Sequence, residues 1–324
     1  MHKQLEIYGT IGPSCCTQEV MEQLFQAGMT GMRLNLSHTN LKDHPNWLQA
    51  FHKASQQAQG EVQLLIDMKG PELRIGSLKP TELNEGAIVD LDRLAFPSFL
   101  LETMEMGQEI LLDDGKILLK TLDTARAKVI RGGTLLAHKS IALKGKNIET
   151  QVLTDSDVQN LKEAKKYGVT GIMQPFVRRA SDLIYIRKIL EKVGASNLKI
   201  YAKIENMQGY ENLESLFPYC DQIIIARGDL GNAVGLTRLP SIQHSIEQRC
   251  KKHGMPYMVV TQMLHSMETK AVPTRAEVSD IYAAVYNGAS SIMLTGETAA
   301  GRYPVEAMKV FVETANYAFN DRES

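Results

Sequence analysis

The sequence contains few cysteines, no long hydrophobic run and almost no net charge. Its four cysteines in 324 residues form neither a C-x-x-C pair nor a disulfide framework. Lys and Arg number 36 against 37 Asp and Glu, a net charge of −1, so no overall field attracts nucleic acid or an anionic membrane. No apolar run reaches the roughly 18 residues that span a membrane, and no secretory signal is visible. We therefore predict a cytoplasmic protein without nucleic-acid or membrane partners.

The composition is that of an ordinary globular chain with a large core. Apolar residues make up 44% of the sequence and charged residues 23%. At about 100–200 residues per domain, the length predicts two domains. A barrel of about 250 residues would leave about 74 for a smaller second domain.

Short apolar runs alternate with helical patterns along most of the chain. Strands are predicted at residues 5–10, 31–36, 62–67, 171–174, 199–204, 222–226, 257–260 and 290–294. Helices are predicted at residues 18–27, 43–57, 155–167, 181–193, 210–217, 241–253, 277–287 and 304–319. The runs QIIIA and YMVV favour a parallel sheet buried on both faces. Eight strand–helix units predict an α/β fold, a closed (β/α)8 TIM barrel, with a doubly wound open sheet as the alternative.

The alternation changes between the third strand and residue 153. Short β-like runs are separated there by turn signals at residues 113–115 and 132–133. This pattern predicts a small all-β domain, residues 72–152, inserted after strand 3. The barrel then comprises residues 1–71 and 153–324, about 240 residues in all, close to a bare barrel.

Polar residues collect after the predicted strands, at the edge where a barrel of this kind carries its active site. They are Arg33, Asn35, Ser37, Asp67, Lys69, Lys203, Glu205, Arg227, Gly228, Asp229, Thr261, Gln262, Thr295, Gly296 and Glu297. Lys203 and Glu205 are two residues apart and should share one face of a strand. Glu205 and Asp229 offer the carboxylate oxygens that Mg²⁺ binds. The mixture of carboxylates, arginines and lysines at these strand ends favours a site for a phosphorylated anion and a hard cation. The alternative is that these residues form structural ion pairs only.

Several segments in order resemble the signature segments of pyruvate kinases. They are T-I-G-P-S (10–14), R-L-N-L-S-H (33–38), I-D-M-K-G-P-E-L-R (66–74), D-D-G (113–115), K-I-E-N (203–206), A-R-G-D-L-G (226–231), T-Q-M-L-x-S-M (261–267), P-T-R-A-E-V-S-D (273–280) and L-T-G-E-T-A-x-G-x-Y-P (294–304). The resemblance extends from the first strand to the last helix. In that family a β domain is inserted after strand 3 of a (β/α)8 barrel, as the periodicity also predicts.

The resemblance implies a phosphotransferase of glycolysis that moves the phosphoryl group of phosphoenolpyruvate to ADP, giving pyruvate and ATP. It implies catalytic roles for Lys203, Arg33 and Thr261, and substrate binding by these three with Gly228 and Asp229. Phosphoryl transfer needs alignment and charge neutralisation rather than covalent help. Lys203 would stabilise the transition state and the enolate oxygen, and Thr261 would lie at the enolate face, near the protonation step.

The resemblance also implies two kinds of cation and a nucleotide site. Glu205 and Asp229 would bind Mg²⁺ or Mn²⁺. The monovalent-cation set would comprise Asn35, Ser37, Asp67 and Met68, and Glu72 is typical of the K⁺-dependent branch. Nucleotide contacts would come from Asn35, His38, Arg74 and Lys144.

The sequence also departs from the family pattern. Met68 replaces a Thr, Pro175 replaces a Ser, and Asn232 stands where an acidic residue is usual. From the resemblance we expect the inserted domain to be shorter than is typical and the usual C-terminal domain to be missing, so that any homo-oligomer would form without that interface. Two other functions remain open: a Mg²⁺-dependent enolpyruvate lyase or aldolase-like enzyme, and a non-catalytic paralogue that binds phosphoenolpyruvate.

Overall fold

The computed structural model describes residues 5–37, 39–58, 60–70, 73–113, 115–146 and 148–324. Two residues singled out from the sequence, His38 and Glu72, lie outside the described residues.

The described part of the chain contains fifteen strands, numbered in chain order. They are β1 Glu6–Thr10, β2 Gly31–Asn35, β3 Gln63–Asp67, β4 Thr81–Leu83, β5 Ile88–Asp90, β6 Glu109–Leu112, β7 Ile117–Thr121, β8 Arg126–Arg131, β9 Gly133–Leu135, β10 Ile141–Leu143, β11 Gly171–Gln174, β12 Lys199–Ile204, β13 Gln222–Ala226, β14 Tyr257–Val260 and β15 Ser291–Met293.

Eight of these strands form a closed parallel barrel in the order β1-β15-β14-β13-β12-β11-β3-β2. The first and last strands close it, with Glu6 opposite Ser291 and Tyr8 opposite Met293. Large side chains fill the interior: Tyr8, Leu65, Met173, Tyr201, Ile224, Met258, Val260 and Met293. The interior is therefore a packed core, and polar side chains at its carboxyl end have a rigid base.

Twelve α-helices occur in the described residues. They are α1 Gln18–Gln26, α2 Pro45–Ser55, α3 Ser98–Leu101, α4 Asp155–Glu163, α5 Ala180–Lys192, α6 Met207–Glu211, α7 Leu213–Leu216, α8 Arg227–Val234, α9 Leu239–His253, α10 Arg275–Tyr286, α11 Gly296–Ala299 and α12 Pro304–Glu323. Short 3₁₀ helices occupy Leu41–Asp43, Asp92–Leu94, Phe217–Tyr219 and His265–Glu268. No helix in the described residues is long and apolar enough to cross a membrane.

The chain divides into two compact units. The first comprises Met1–Gly70, Gln151–Arg227 and Ser241–Ser324, and the second comprises Pro71–Thr150 and Gly228–Pro240. The second unit contains an antiparallel sheet in the order β10-β6-β7-β8-β5 and the pair β4-β9. Its own apolar core includes Leu91, Leu100, Ile110, Leu119 and Val129.

The (β/α)8 barrel with a small β domain inserted after its third strand is confirmed, and the open-sheet alternative is wrong. The domain bounds 1–71 with 153–324 and 72–152 stay a prediction. Four strands, β11 to β14, have the bounds that the sequence predicts. Their ends were readable because each apolar run is flanked directly by polar or turn-forming residues.

None of the eight predicted helices has the observed bounds at both ends, and the helix predicted at residues 155–167 ends at Glu163. Two of the differences have a clear physical cause. The helix predicted at residues 210–217 is instead α6 and α7, because the side chain of Asn206 accepts from the Gly209 amide and starts a helix earlier. Asn212 interrupts the helical pattern, with its side chain bonded to the Arg178 carbonyl. The last helix continues past residue 319 to Glu323, and Arg322 donates to the Val285 carbonyl at 3.0 Å.

Candidate functional site

Two cations and two carboxylates meet at the carboxyl ends of β2, β3 and β12. Arg33 donates through Nε and Nη2 to Oδ2 of Asp67, at 2.9 and 2.6 Å. Lys203 Nζ lies 3.3 Å from the same Oδ2 atom and 2.9 Å from Oε1 of Glu205. The two carboxylate side chains are only 3% and 2% exposed. We call these four residues the charge cluster; the sequence predicted each of them at a strand end.

The neighbours of Asp67 and Lys203 stabilise the ionised forms of both groups. Burial raises the pKa of Asp67, but Lys203 and Arg33 outweigh burial and hold this pKa below its usual value. Burial lowers the pKa of Lys203, whereas Asp67 and Glu205 raise it, so the net pKa is above that of an ordinary lysine. Lys203 is therefore a fixed cation at neutral pH and not a proton donor.

The second oxygen of Glu205 is fixed by the backbone. Phe176 N donates to Glu205 Oε2 at 2.8 Å, and Phe176 has a positive φ of 51°. Pro175, buried just before it, lies against Gly70, where a Cβ would be 2.4 Å from the Pro175 ring. Gly70 also has a φ of +60°, a conformation that glycine adopts without strain. The proline that departs from the family pattern is thus packed into the wall beside Glu205.

The four residues predicted to bind a monovalent cation follow two adjacent strands. Asn35 Oδ1 accepts from the amide and the hydroxyl of Ser37, at 3.1 and 2.9 Å. Asn35 is in register with Asp67 across β2 and β3. Met68 is buried, and its amide donates to the Met173 carbonyl at 3.0 Å. The structure therefore brings Asn35, Ser37, Asp67 and Met68 to one part of the barrel rim.

Thr261, which follows β14, has an unusual backbone. Its φ is +80°, and Gln262 after it has a φ of +56°. A positive φ at a β-branched residue is a genuine outlier and costs about 1–3 kcal/mol. Such strain persists only where the surroundings impose it, and it is typical of functional sites.

Four further predicted site residues belong to the second unit. Gly228 and Asp229 are the second and third residues of α8. Arg74 Nη1 donates to the His138 carbonyl at 2.8 Å, and Lys144 Nζ lies 2.6 Å from Oε2 of Glu109. The ion pair with Lys144 lowers the pKa of Glu109.

Asn232 departs from the family pattern and lies beside Gly115. A Cβ on Gly115 would lie 2.9 Å from Asn232 Oδ1. Both residues are in the second unit, where the substitution is accommodated next to a glycine that has a positive φ.

Sequence reasoning missed Asp157, which is fully buried in α4. Its carboxylate accepts from the amides of Lys69 at 2.8 Å, Gly70 at 3.1 Å and Thr154 at 2.8 Å. The T-x-x-D spacing of Thr154 and Asp157 is a capping box, a signal that was available in the sequence. Nothing in the sequence near Asp157 indicates its hydrogen bonds to Lys69 and Gly70, which lie 88 and 87 residues away.

The oxygen donors at the barrel rim suit hard cations. Mg²⁺ prefers oxygen ligands, and the Glu205 carboxylate, one or two further oxygens and the substrate would supply them. Among the residues that the structure describes, no group of three or more His, Cys, Asp or Glu side chains comes together as a metal cage. A single buried carboxylate such as Glu205 is compatible with Mg²⁺, which typically takes one or two protein carboxylates together with substrate and water.

The fold and cluster define a (β/α)8 barrel protein with a buried polar site where barrel enzymes bind and convert their substrates. The family described as "Pyruvate kinase, barrel domain" matches residues 2–308. The chain belongs to the pyruvate kinase family.

Individual relatives support the same assignment. The chain is 36% identical over 325 residues to a pyruvate kinase of Sporosarcina psychrophila, covering 95% of this chain and 56% of the relative. It is 35% identical over 334 residues to one of Geobacillus stearothermophilus and 34% over 332 to one of Bacillus licheniformis, each covering 97% of this chain and 57% of the relative. The chain thus spans about half the length of these relatives.

Proposed function

We propose that this chain catalyses phosphoryl transfer from phosphoenolpyruvate to ADP. The charge cluster is the observation that carries the proposal. In the reaction the P–O bond of the enol phosphate breaks and the phosphoryl group joins the β-phosphate of ADP. The enolate then takes up one proton at its methylene carbon, which gives pyruvate and ATP.

The charge cluster suits the first step. Arg33 has five N–H donors, of which two point to Asp67. Its guanidinium can therefore engage phosphoryl oxygens in a planar fork without leaving the carboxylate. Lys203, held between Asp67 and Glu205, is a preorganised cation where charge develops on the transferring group and the enolate oxygen. Because these charges are already in place, little reorganisation is required during the reaction.

Glu205 and Asp229 are the residues that would hold Mg²⁺ or Mn²⁺. Asn35, Ser37, Asp67 and Met68 are those that would hold K⁺. Bound divalent metal supplies charge neutralisation for the phosphoryl oxygens. Gly228 and Asp229 would bind the substrate carboxylate, and Thr261 would lie at the enolate face. Asn35, His38, Arg74 and Lys144 are proposed nucleotide contacts, and the cytoplasm is the proposed compartment.

A coupled assay for ATP and pyruvate, with Mg²⁺ or Mn²⁺ and with or without K⁺, tests the proposal. Lys203→Met should lower kcat about 100- to 1,000-fold, because a transition-state donor is lost, while equilibrium binding of phosphoenolpyruvate stays measurable. Lys199→Met is the matched control: Lys199 is exposed at the other end of β12, and its loss should leave kcat unchanged.

Other outcomes would contradict the proposal. Pyruvate formed without ADP would favour a lyase or aldolase-like enzyme. Binding of phosphoenolpyruvate without turnover would favour a non-catalytic paralogue. Full activity in Lys203→Met would refute the role of Lys203.

A further inference from the structure

Arg227 joins three segments at the carboxyl end of the barrel. It follows β13 directly and begins α8. Its Nη1 atom lies 2.8 and 2.7 Å from the two carboxylate oxygens of Asp280, which is in α10. On the other side, Nη2 donates to the Thr261 carbonyl at 2.7 Å, and Nε lies 3.2 Å from that oxygen and from the Val260 carbonyl. The arginine side chain is 12% exposed.

The bonds to the Thr261 carbonyl act on the strained part of the backbone. This carbonyl belongs to the peptide that joins Thr261 to Gln262, and both residues have a positive φ. Two N–H groups on one oxygen fix the plane of that peptide. The plane sets ψ of Thr261 and φ of Gln262, and hence the direction in which the Thr261 side chain leaves the backbone. Relaxation to a common conformation would break both hydrogen bonds.

We propose that Arg227, oriented by Asp280, is a positioning residue that holds Thr261 in its left-handed conformation for the protonation of the enolate. The inference rests on the proposed function, because it assigns Arg227 a role through Thr261. Arg227 and Asp280 do not themselves contact the reacting atoms in this role. They fix the geometry of a residue that does.

Bridging Asp280 and the two carbonyls requires the shape of arginine as well as its charge. The guanidinium is planar and presents donors on several edges at once, so it can face Asp280 with Nη1 while Nε and Nη2 face the carbonyls. A lysine at this position would carry a single ammonium group on a flexible stem. It would keep the charge but could not bridge the carboxylate and the two carbonyls in one orientation.

The test begins with Arg227→Lys and Asp280→Asn in the full chain. A misplacement of about 1 Å in a reacting group lowers the rate about 100-fold, and we expect kcat to fall by this factor in Arg227→Lys with KM for phosphoenolpyruvate little changed. Arg249→Lys is the matched control. Arg249 also bridges a carboxylate, that of Glu214, and a main-chain carbonyl, that of Tyr210 at 2.7 Å, and its loss should leave kcat unchanged.

A double-mutant cycle separates positioning of Thr261 from a general loss of structure. In a Thr261→Ala background, Arg227→Lys should cost little more, because the residue through which it acts is gone. The rate at which pyruvate added in D2O exchanges its methyl protons for deuterium reports the proton transfer. In Arg227→Lys this rate should fall by the same factor as kcat. The proposal would be overturned if Arg227→Lys lowered kcat by the same factor with and without Thr261. It would also be overturned if kcat of Arg227→Lys were no lower than that of Arg249→Lys.

Hydrogen–deuterium exchange of the peptide that contains residues 261–264 gives a readout that needs no turnover. Arg227→Lys should speed exchange in this segment, whereas Arg249→Lys should not. If the unmodified protein showed no transfer to ADP, the proposed function would fail, and faster exchange would still support the role of Arg227 in holding the backbone. Unchanged exchange in Arg227→Lys would overturn that role whether or not the protein is active.

Discussion

Replacing Asp67 by Asn removes a buried anion between two partly buried cations. The variant keeps the size of the side chain and one oxygen acceptor, but Arg33 and Lys203 lose their shared counter-charge. Removing one partner of a buried ion pair costs about 3–5 kcal/mol, because the remaining charge is left uncompensated. Glu205 still pairs with Lys203 at 2.9 Å, so we expect about 4 kcal/mol.

Urea unfolding followed by Trp47 fluorescence measures this cost. Trp47 is the only tryptophan in the sequence and lies in α2, stacked on His44, so its signal reports on the barrel unit alone. With a denaturant slope of about 3 kcal/mol/M, a loss of about 4 kcal/mol lowers the unfolding midpoint by about 1.3 M.

Asp221→Asn is the control for the same chemical change outside the charge cluster. Asp221 pairs with Arg187 at 2.6 Å, but its side chain is 42% exposed. A partly exposed pair contributes about 1 kcal/mol or less, so its midpoint should shift by about 0.3 M. Equal shifts in the two variants would refute the argument that buried Asp67 neutralises the pair of cations Arg33 and Lys203.

Two further predictions concern buried carboxylates elsewhere in the barrel unit. Burial raises the pKa of Glu247, although a hydrogen bond from the Gln243 amide opposes this shift. The raised pKa means that protonation of Glu247 stabilises the fold fully below about pH 4.3, the ordinary pKa of a glutamate. This stabilisation is lost as the pH rises through the pKa of Glu247 in the folded state. Glu247→Gln should accordingly raise the Trp47 unfolding midpoint relative to the unmodified protein at pH 7 but not at pH 4, and the opposite order would contradict this. Asp157→Ala leaves the amides of Lys69 and Gly70 without their acceptor and should cost about 3 kcal/mol at roughly 1–3 kcal/mol per buried unsatisfied group; a midpoint equal to that of Asp155→Ala, an alteration in the same helix, would show that these bonds contribute nothing.

Features set by local chemistry could be predicted from the sequence. A strand such as β13 is clear in the sequence because four apolar or small residues, 223–226, lie between polar Gln222 and Arg227. The Lys203–Glu205 contact follows from the two-residue repeat of a strand. Because parallel strands end at one rim, the meeting of Arg33, Asp67 and Lys203 could also be anticipated.

Features set by distant contacts could not be predicted. The bond between Arg227 and Asp280 joins residues 53 positions apart, and no spacing rule selects this pair. The positive φ of Thr261 opposes the preference of a β-branched residue, so local propensity predicts the wrong conformation. Tertiary hydrogen bonds impose both features, and they exist only once the barrel has closed.

Asp157 also bears on how a barrel tolerates a long insertion. Lys69 and Gly70, where the chain leaves barrel strand β3, and Thr154, the N-cap of α4 where the chain returns to the barrel, bond to this one carboxylate. The chain between Gly70 and Thr154 is therefore a loop whose two ends are held together by Asp157. The entropy of closing such a loop grows only logarithmically, by about 0.6 kcal/mol for each doubling of its length. The insertion can therefore lengthen, shorten or be exchanged for another module with little effect on barrel stability, provided that its ends still reach Asp157.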